Sequence, residues 1–173
     1  MKTLLILSAI FNIALQAQIL ISPIESMQEN FGTDATISKK NILLTNDKFQ
    51  EVQKNAQLKM ETKIYRIFTA KKDEKTIGYG VLVSRKVRSN NAVVLYIIEN
   101  DKLKNIDIIA FNEPLEYVPS ETWKNQFNDI PTSKHLQLNR EIPTITGATL
   151  SARSITDGSR LAFSLYNILL KGK

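Results

Sequence analysis

The spacing of apolar positions changes period along the chain. Over Asn46–Ala56, Phe49, Val52 and Ala56 recur every three or four residues, and Thr45 or Asn46 stands ready to cap, which predicts a short amphipathic helix. From Lys63 to Phe111 the pattern is strand-like. Lys63–Ala70 is β-branched and aromatic, Lys71–Lys75 is a polar turn, and Thr76–Ser84 alternates with Ile77, Tyr79, Val81 and Val83 on one face. Ala92–Ile98 is continuously apolar, as a central strand should be, and Glu99–Lys102 turns the chain. Leu103–Phe111 is a fourth strand, with Ile106, Ile108 and Ala110 sharing a face. Short polar turns between four strands predict an antiparallel meander. Near the C-terminus, Leu161, Leu165, Ile168 and Leu169 form a helical stripe, with Arg153, Asp157, Arg160, Ser164, Asn167 and Lys171 stepping along the other side. This predicts a terminal helix from Ser151 or Ser154 to Leu170, with Ser154–Asp157 as its capping signature. The fold class that follows is α+β: a meander sheet packed with a C-terminal helix and short helices.

The remaining segments are less regular. Residues 18–41 are polar and mixed, and read as a loosely packed lead-in; with the short helix they make a unit of residues 18–60 ahead of a domain at 61–173. Asn112–Pro143 is a long connection punctuated by Pro114, Pro119 and Pro131. Inside it, Trp123 and Phe127 are four residues apart on one side of a helical turn. Gly78 and Gly80 share the face opposite Tyr79 and Val81, where bareness means either close packing or room for a ligand. Gly158, inside the terminal helix, points to close packing.

Residues 1–17 read as a secretory signal, with Lys2, an apolar core from Leu4 to Leu15 and a small residue, Ala17, at the cut. The core is short for a membrane span. An uncleaved anchor running on to Ile21 is the alternative, weakened by Asn12, Gln16 and Gln18. The expected location is therefore periplasmic, or the extracytoplasmic face of the membrane. Removing the signal takes one of the 23 basic residues and none of the 17 acidic ones, lowering the net charge from +6 to +5. That excess favours anionic partners. The basic residues are scattered without interleaved stacking aromatics, which argues against nucleic acid. With no cysteine and a single histidine, His135, the chain is excluded from disulfide, cysteine-ligated iron–sulfur, c-type haem and multi-histidine metal chemistry. Redox chemistry here would need an organic cofactor. His135 lies in a polar loop and is expected to be solvated.

The stretch Thr146-Gly-Ala-Thr-Leu-Ser-Ala-Arg153 has little bulk before Leu150 and leads into the terminal helix. Gly147 frees the backbone, Ala148 adds almost no volume, and a helix start supplies N–H donors and positive potential for a phosphate. Read alone, the stretch is equally a turn and a helix cap. Arg153 is either a partner for such a phosphate or a solvated surface residue.

Thr146-Gly-Ala-Thr149, preceded in order by Glu113-Pro114 and Trp123-Lys-Asn-Gln-Phe127, resembles the FMN-binding domain family over about Gly78–Leu170. Members serve in the sodium-pumping NADH:quinone oxidoreductase, in the Rnf complex and as stand-alone exported carriers. The resemblance implies an electron carrier rather than a stand-alone enzyme, with FMN moved from FAD by a flavin transferase onto Thr149 through a phosphoester. It implies cofactor contacts from Thr146, Gly147, Ala148, Leu150, Ser151, Arg153, Glu113, Pro114 and Trp123, no metal, and redox partners such as acidic cytochromes or a membrane oxidoreductase. Trp123, Phe127 and, more weakly, Tyr117 either stack on the flavin ring or pin the long connection to the core. Two positions depart from the family. Pro143 stands where its motif has an aspartate, and the Glu-Thr-Pro-Gly loop is shortened to Glu113-Pro114. A secreted binding or scaffold domain without flavin is the alternative function. A Ser/Thr-nucleophile hydrolase is a third, and would need a base beside the hydroxyl.

Overall fold

The computed structural model describes residues 18–172; the expected signal, residues 1–17, lies outside them. Strand β1 (Gln18–Ile19) leads to helix α1 (Pro23–Phe31), strand β2 (Thr36–Leu43) and helix α2 (Asn46–Ala56). The meander follows as β3 (Ile64–Lys72), β4 (Lys75–Lys86), β5 (Asn91–Glu99) and β6 (Lys102–Phe111). After it come a 3-10 turn at Leu115–Tyr117, helix α3 (Glu121–Lys124), a second 3-10 turn at Asn125–Phe127, strand β7 (Ile130–Pro131) and helix α4 (Thr149–Leu169). The architecture is α+β. One antiparallel sheet runs β1-β6-β5-β4-β3-β2, and β7 shares with β1 the outer edge of β6.

Turn chemistry sets the meander. The β3–β4 and β5–β6 links are two-residue hairpins, Asp73-Glu74 and Asn100-Asp101, and all four residues have positive φ. That handedness matches the twist of the flanking strands. The β4–β5 link, residues 87–90, is longer and projects at the opposite end of the sheet from the other two.

Both faces of the sheet are covered. On one, α4 crosses β4 and β5 and packs against α2, burying Val81, Val83, Tyr96 and Ile98 under Leu161, Phe163 and Leu165. Trp123, Phe127, Leu136 and Ile142 of the long connection close the same core. On the other, Met27 of α1 packs with Phe68, Leu95, Ile97 and Ile109. Gly78 and Gly80 lie beneath α1. A side chain on Gly78 would strike the Phe31 ring, and one on Gly80 the Met27 sulfur. Their bareness is close packing rather than ligand space.

Several sequence expectations are corrected. Residues 18–41 are not a loose lead-in, because they supply α1 and β2 to the same sheet and bury Met27 and Ser26 completely. A mixed polar pattern concealed this, since α1 buries one narrow stripe. Ile77 does not share the face of Tyr79; the register slips between Ala70 and Lys71, leaving Ile77 as the extra residue of a bulge, packed on the α1 side. In β6 the register slips twice, so Leu103 and Phe111 join Ile106 and Ile108 on the α4 side, and Ala110 instead sits opposite Val93. Helix α4 starts at Thr149, earlier than Ser151 or Ser154, and Ser154 is buried within it rather than capping it. Ser164 is also buried, donating to the Val52 carbonyl at 3.0 Å, because α4 is enclosed on nearly every side. Helix α2 keeps the expected bounds, with Thr45 as its cap.

Two contacts seat α4. The Tyr96 phenol, on β5, donates to the Ile155 carbonyl at 2.8 Å, and Gly158 lies against the same ring. At the far end, Tyr166 donates to Asp101 of the β5–β6 hairpin at 2.8 Å, and Lys171 pairs with the same carboxylate. Gly158→Ala drives a methyl group into the phenol and is expected to destabilise the fold by about 1–3 kcal/mol. Tyr96→Phe removes the nearest oxygen, so the double change should cost less than the two singles together. Urea denaturation of the four proteins checks this, and strict additivity would contradict the packing.

Candidate functional site

The antiparallel meander brings the β4–β5 connection, the segment after β6 and the start of α4 to one end of the sheet. Between them lies an open cavity of about 240 Å³ lined by Val87, Arg88, Glu113, Tyr117 and residues 147–151. Thr149, the first residue of α4, is exposed at this cavity. Its Oγ1 makes one long hydrogen bond, to the Ile145 carbonyl at 3.4 Å. A contact of that length holds the hydroxyl loosely.

The helix start is chemically unfinished. The residue before it, Ala148, has no side chain to cap with, and there is no acid in the first turn. The N–H groups of Thr149, Leu150 and Ser151 have no acceptor within the helix. They sum with the helix dipole to a positive pole facing the cavity. Gly147 shapes the approach with φ +81°, a conformation other residues adopt at a cost, although the space around it is open. Ser151 is 1% exposed, and its Oγ has no hydrogen-bond partner. An unmet hydroxyl in a folded interior is unfavourable.

Glu113 holds the opposite wall. Its Oε1 accepts N–H bonds from Arg88 at 3.2 Å, Ser89 at 2.6 Å and Asn90 at 2.7 Å, fastening the β4–β5 connection to the segment after β6. These bonds, that of Asn90 foremost, hold its carboxyl below the ordinary glutamate range despite some desolvation. One carboxylate oxygen is thus committed to the backbone of the β4–β5 connection. Tyr117 completes the wall, its phenol pKa raised by a hydrogen bond to Glu116.

Of the residues expected at a cofactor site, Gly147, Ala148, Thr149, Leu150, Ser151 and Glu113 come together at the cavity. Thr146, Pro114 and Arg153 are exposed beside it without lining it. Trp123 lies elsewhere. It is 6% exposed, stacks edge-on against Phe127 at 5.1 Å, and donates through Nε1 to the Pro143 carbonyl at 2.9 Å. The pair pins the connection to the core. His135 is half-buried rather than solvated, with Nε2 3.1 Å from Arg160 in a separate polar hollow. Burial and the Arg160 charge lower its pKa. Val87 and Arg88 were not foreseen. Nothing local marks them, and only the strand order places their connection beside α4.

The donor set suits a phosphate, and Val87, Tyr117 and Leu150 offer an apolar wall to a flat ring. The volume lies below the ~300–1,000 Å³ of sites that enclose a whole ligand, so an FMN here would be only partly covered. No protein-family model matches the chain, and no curated protein matches it significantly in sequence.

Glu113→Gln should loosen the β4–β5 connection. Because the folded pKa is depressed, the clamp is complete above the ordinary value of 4.5 and is lost as pH falls through the lower folded value. Amide exchange should therefore show lower protection at Arg88–Asn90 in Glu113→Gln at neutral pH, and wild type should approach that level only in acid.

Proposed function

We propose that this chain is an exported flavoprotein that carries FMN on Thr149 and relays electrons between extracytoplasmic or membrane redox partners. The observation that carries the reading is the exposed Thr149 hydroxyl at the mouth of a cavity, on an uncapped helix start. The ordered motifs Glu113-Pro114, Trp123–Phe127 and Thr146–Thr149 support it.

Thr149 Oγ1 would hold the flavin through a phosphoester drawn from FAD, with AMP as the leaving group and the hydroxyl proton passing to the transferase. The free N–H groups of residues 149–151 and the helix dipole stabilise the charge that the phosphodiester retains. Gly147 and Ala148 leave the hydroxyl open to the transferase. When bound, the flavin supplies the redox chemistry, and the protein sets its position and surroundings.

A tether suits a shallow site. Outside the cytoplasm free flavin is dilute, and a cavity covering part of a ligand would lose it by mass action. The ester removes that requirement and leaves the uncovered part of the ring available to a partner. The net charge of +6, or +5 without the signal, would steer acidic redox proteins at low ionic strength. Among the described residues no helix is long and apolar enough to cross a membrane.

A second reading, the same fold serving as a flavin-free binding domain, is favoured by Pro143, which stands where the resembling motif has an acid. Intact-mass spectrometry after co-expression with a flavin transferase separates the two. The expected result is one FMN per wild-type chain, surviving denaturation, and none on Thr149→Ala. Colourless wild type beside a control substrate loaded by the same transferase would establish the second reading, and flavin retained by denatured Thr149→Ala would refute the assignment to Thr149.

A further inference from the structure

We propose that the chain lies on an anionic bilayer surface by the part of its sheet that α1 leaves bare, with Leu43, Ile64 and Ile19 entering the headgroup region and Lys39, Arg66 and Lys86 meeting lipid phosphates. This surface is on the opposite face of the sheet from α4, and it needs no flavin at the cavity.

Strand register builds the surface. On the face that carries α1, Met27 and Phe31 roof Gly80 and Gly78. Toward the other end of the strands the same face runs on beyond the helix. Leu43 of β2 stands opposite Ile64 of β3, and both share the face of Lys39 and Phe68 by even spacing along their strands. Farther across, Ser84 of β4 stands opposite Val93 of β5, Val93 opposite Ala110 of β6, and Ala110 opposite Ile19 of β1. At ~4.8 Å per strand the row spans about 24 Å. Its apolar ends lie open: Leu43 is 70% exposed, Ile64 57% and Ile19 72%, and Ile24 at the start of α1 is exposed as well. Single exposed apolar residues are ordinary, but several on one sheet face mark a contact surface.

The charges beside the row select the partner. Lys39 of β2, Arg66 of β3 and Lys86 of β4 alternate onto this face, are exposed, and enter no ion pair among the described residues. Asn41 accepts from Arg66 Nε at 3.0 Å and steadies it there. No Asp or Glu stands among the strand residues that face outward in this half of the sheet. A second copy laid face to face sets these cations against their own counterparts. An anionic bilayer takes the apolar row and the cations together. The path of the chain agrees. Gln18 pairs with Phe111 and leads directly into Ile19 at the end of the row, so the apolar segment Leu4–Leu15 joins the fold at this margin. Seated this way, the α4 side faces the aqueous phase.

The test uses the absence of cysteine, which lets one introduced thiol carry an environment-sensitive nitrobenzoxadiazole dye. The full chain is expressed with its own N-terminal segment, the exported product is labelled at Leu43→Cys, Ile64→Cys or Glu51→Cys, and phosphatidylcholine vesicles with or without phosphatidylglycerol are added. Dye at positions 43 and 64 should brighten and shift to the blue with the phosphatidylglycerol vesicles, whereas dye at position 51, on exposed α2, should not respond. In co-sedimentation, unlabelled Leu43→Ser with Ile64→Ser should lower partition by about tenfold or more. Lys39→Gln and Lys86→Gln should each lower it by about fivefold, an effect that high salt removes. All four positions are exposed, so melting temperatures should stay at the wild-type value and separate lost docking from lost fold. Silent dye at 43 and 64, an equal response without phosphatidylglycerol, or partition untouched by the serine pair overturns the inference. So does a dimer in solution that the serine pair breaks, because the row then belongs to a second copy. None of these readouts depends on whether Thr149 is loaded, so failure here leaves the flavin reading standing, and the reverse.

Discussion

Everything at the candidate site depends on how closely α4 lies on the sheet. Gly158 offers no side chain where the Tyr96 ring comes up from β5, and the phenol then reaches the Ile155 carbonyl. Any larger residue at that point would lift the helix. With the middle of α4 fixed and its far end tied to Asp101, its start has one place to go, beside the β4–β5 connection. The cavity is thus a by-product of helix seating. Its floor is the helix start, and its rim is a hairpin link longer than its two neighbours.

What distinguishes this end of α4 is what it lacks. The other longer helices begin with a capping hydroxyl, Ser22 for α1 and Thr45 for α2, each accepting the N–H three residues on. Helix α4 begins at an alanine. Omitting a cap costs about 1 kcal/mol, and leaving Ser151 unmatched adds to the debit. The cavity thus sets unmet donors at the start of α4 opposite a wall fastened by a triple amide clamp.

Much of the fold was legible in the residues. The meander, its polar turns, helix α2 with its cap, and the apolar stripe of α4 all follow from period and turn chemistry. Bulges were not legible. A slip of one residue at Ile77, and again in β6, transfers side chains between faces, and no local signal announces it. Helix α1 was missed because its few buried positions interrupt a polar run, while the glycines that receive it lie some fifty residues further on. At the site, the Thr146–Ser151 segment could be read directly, since small residues and hydroxyls before a helix carry their own meaning. Arg88 could not, because its relevance comes from strand order alone. The preference for Ser154 as a cap failed for a related reason: a serine buried inside a helix looks like a cap in a string of letters.

The placement of α1 over Gly78 and Gly80 bears on where this chain can be divided. The residue-60 boundary suggested by composition runs through one continuous sheet, with β2 pairing along β3 and α1 roofing β3 to β6. Cutting there would strip the roof from Phe68, Leu95 and Ile97 and leave β3 as a bare, adhesive margin. The first forty-odd described residues thus serve both faces: α1 covers the back of the sheet, β2 guards its margin, and α2 buttresses α4 on the front.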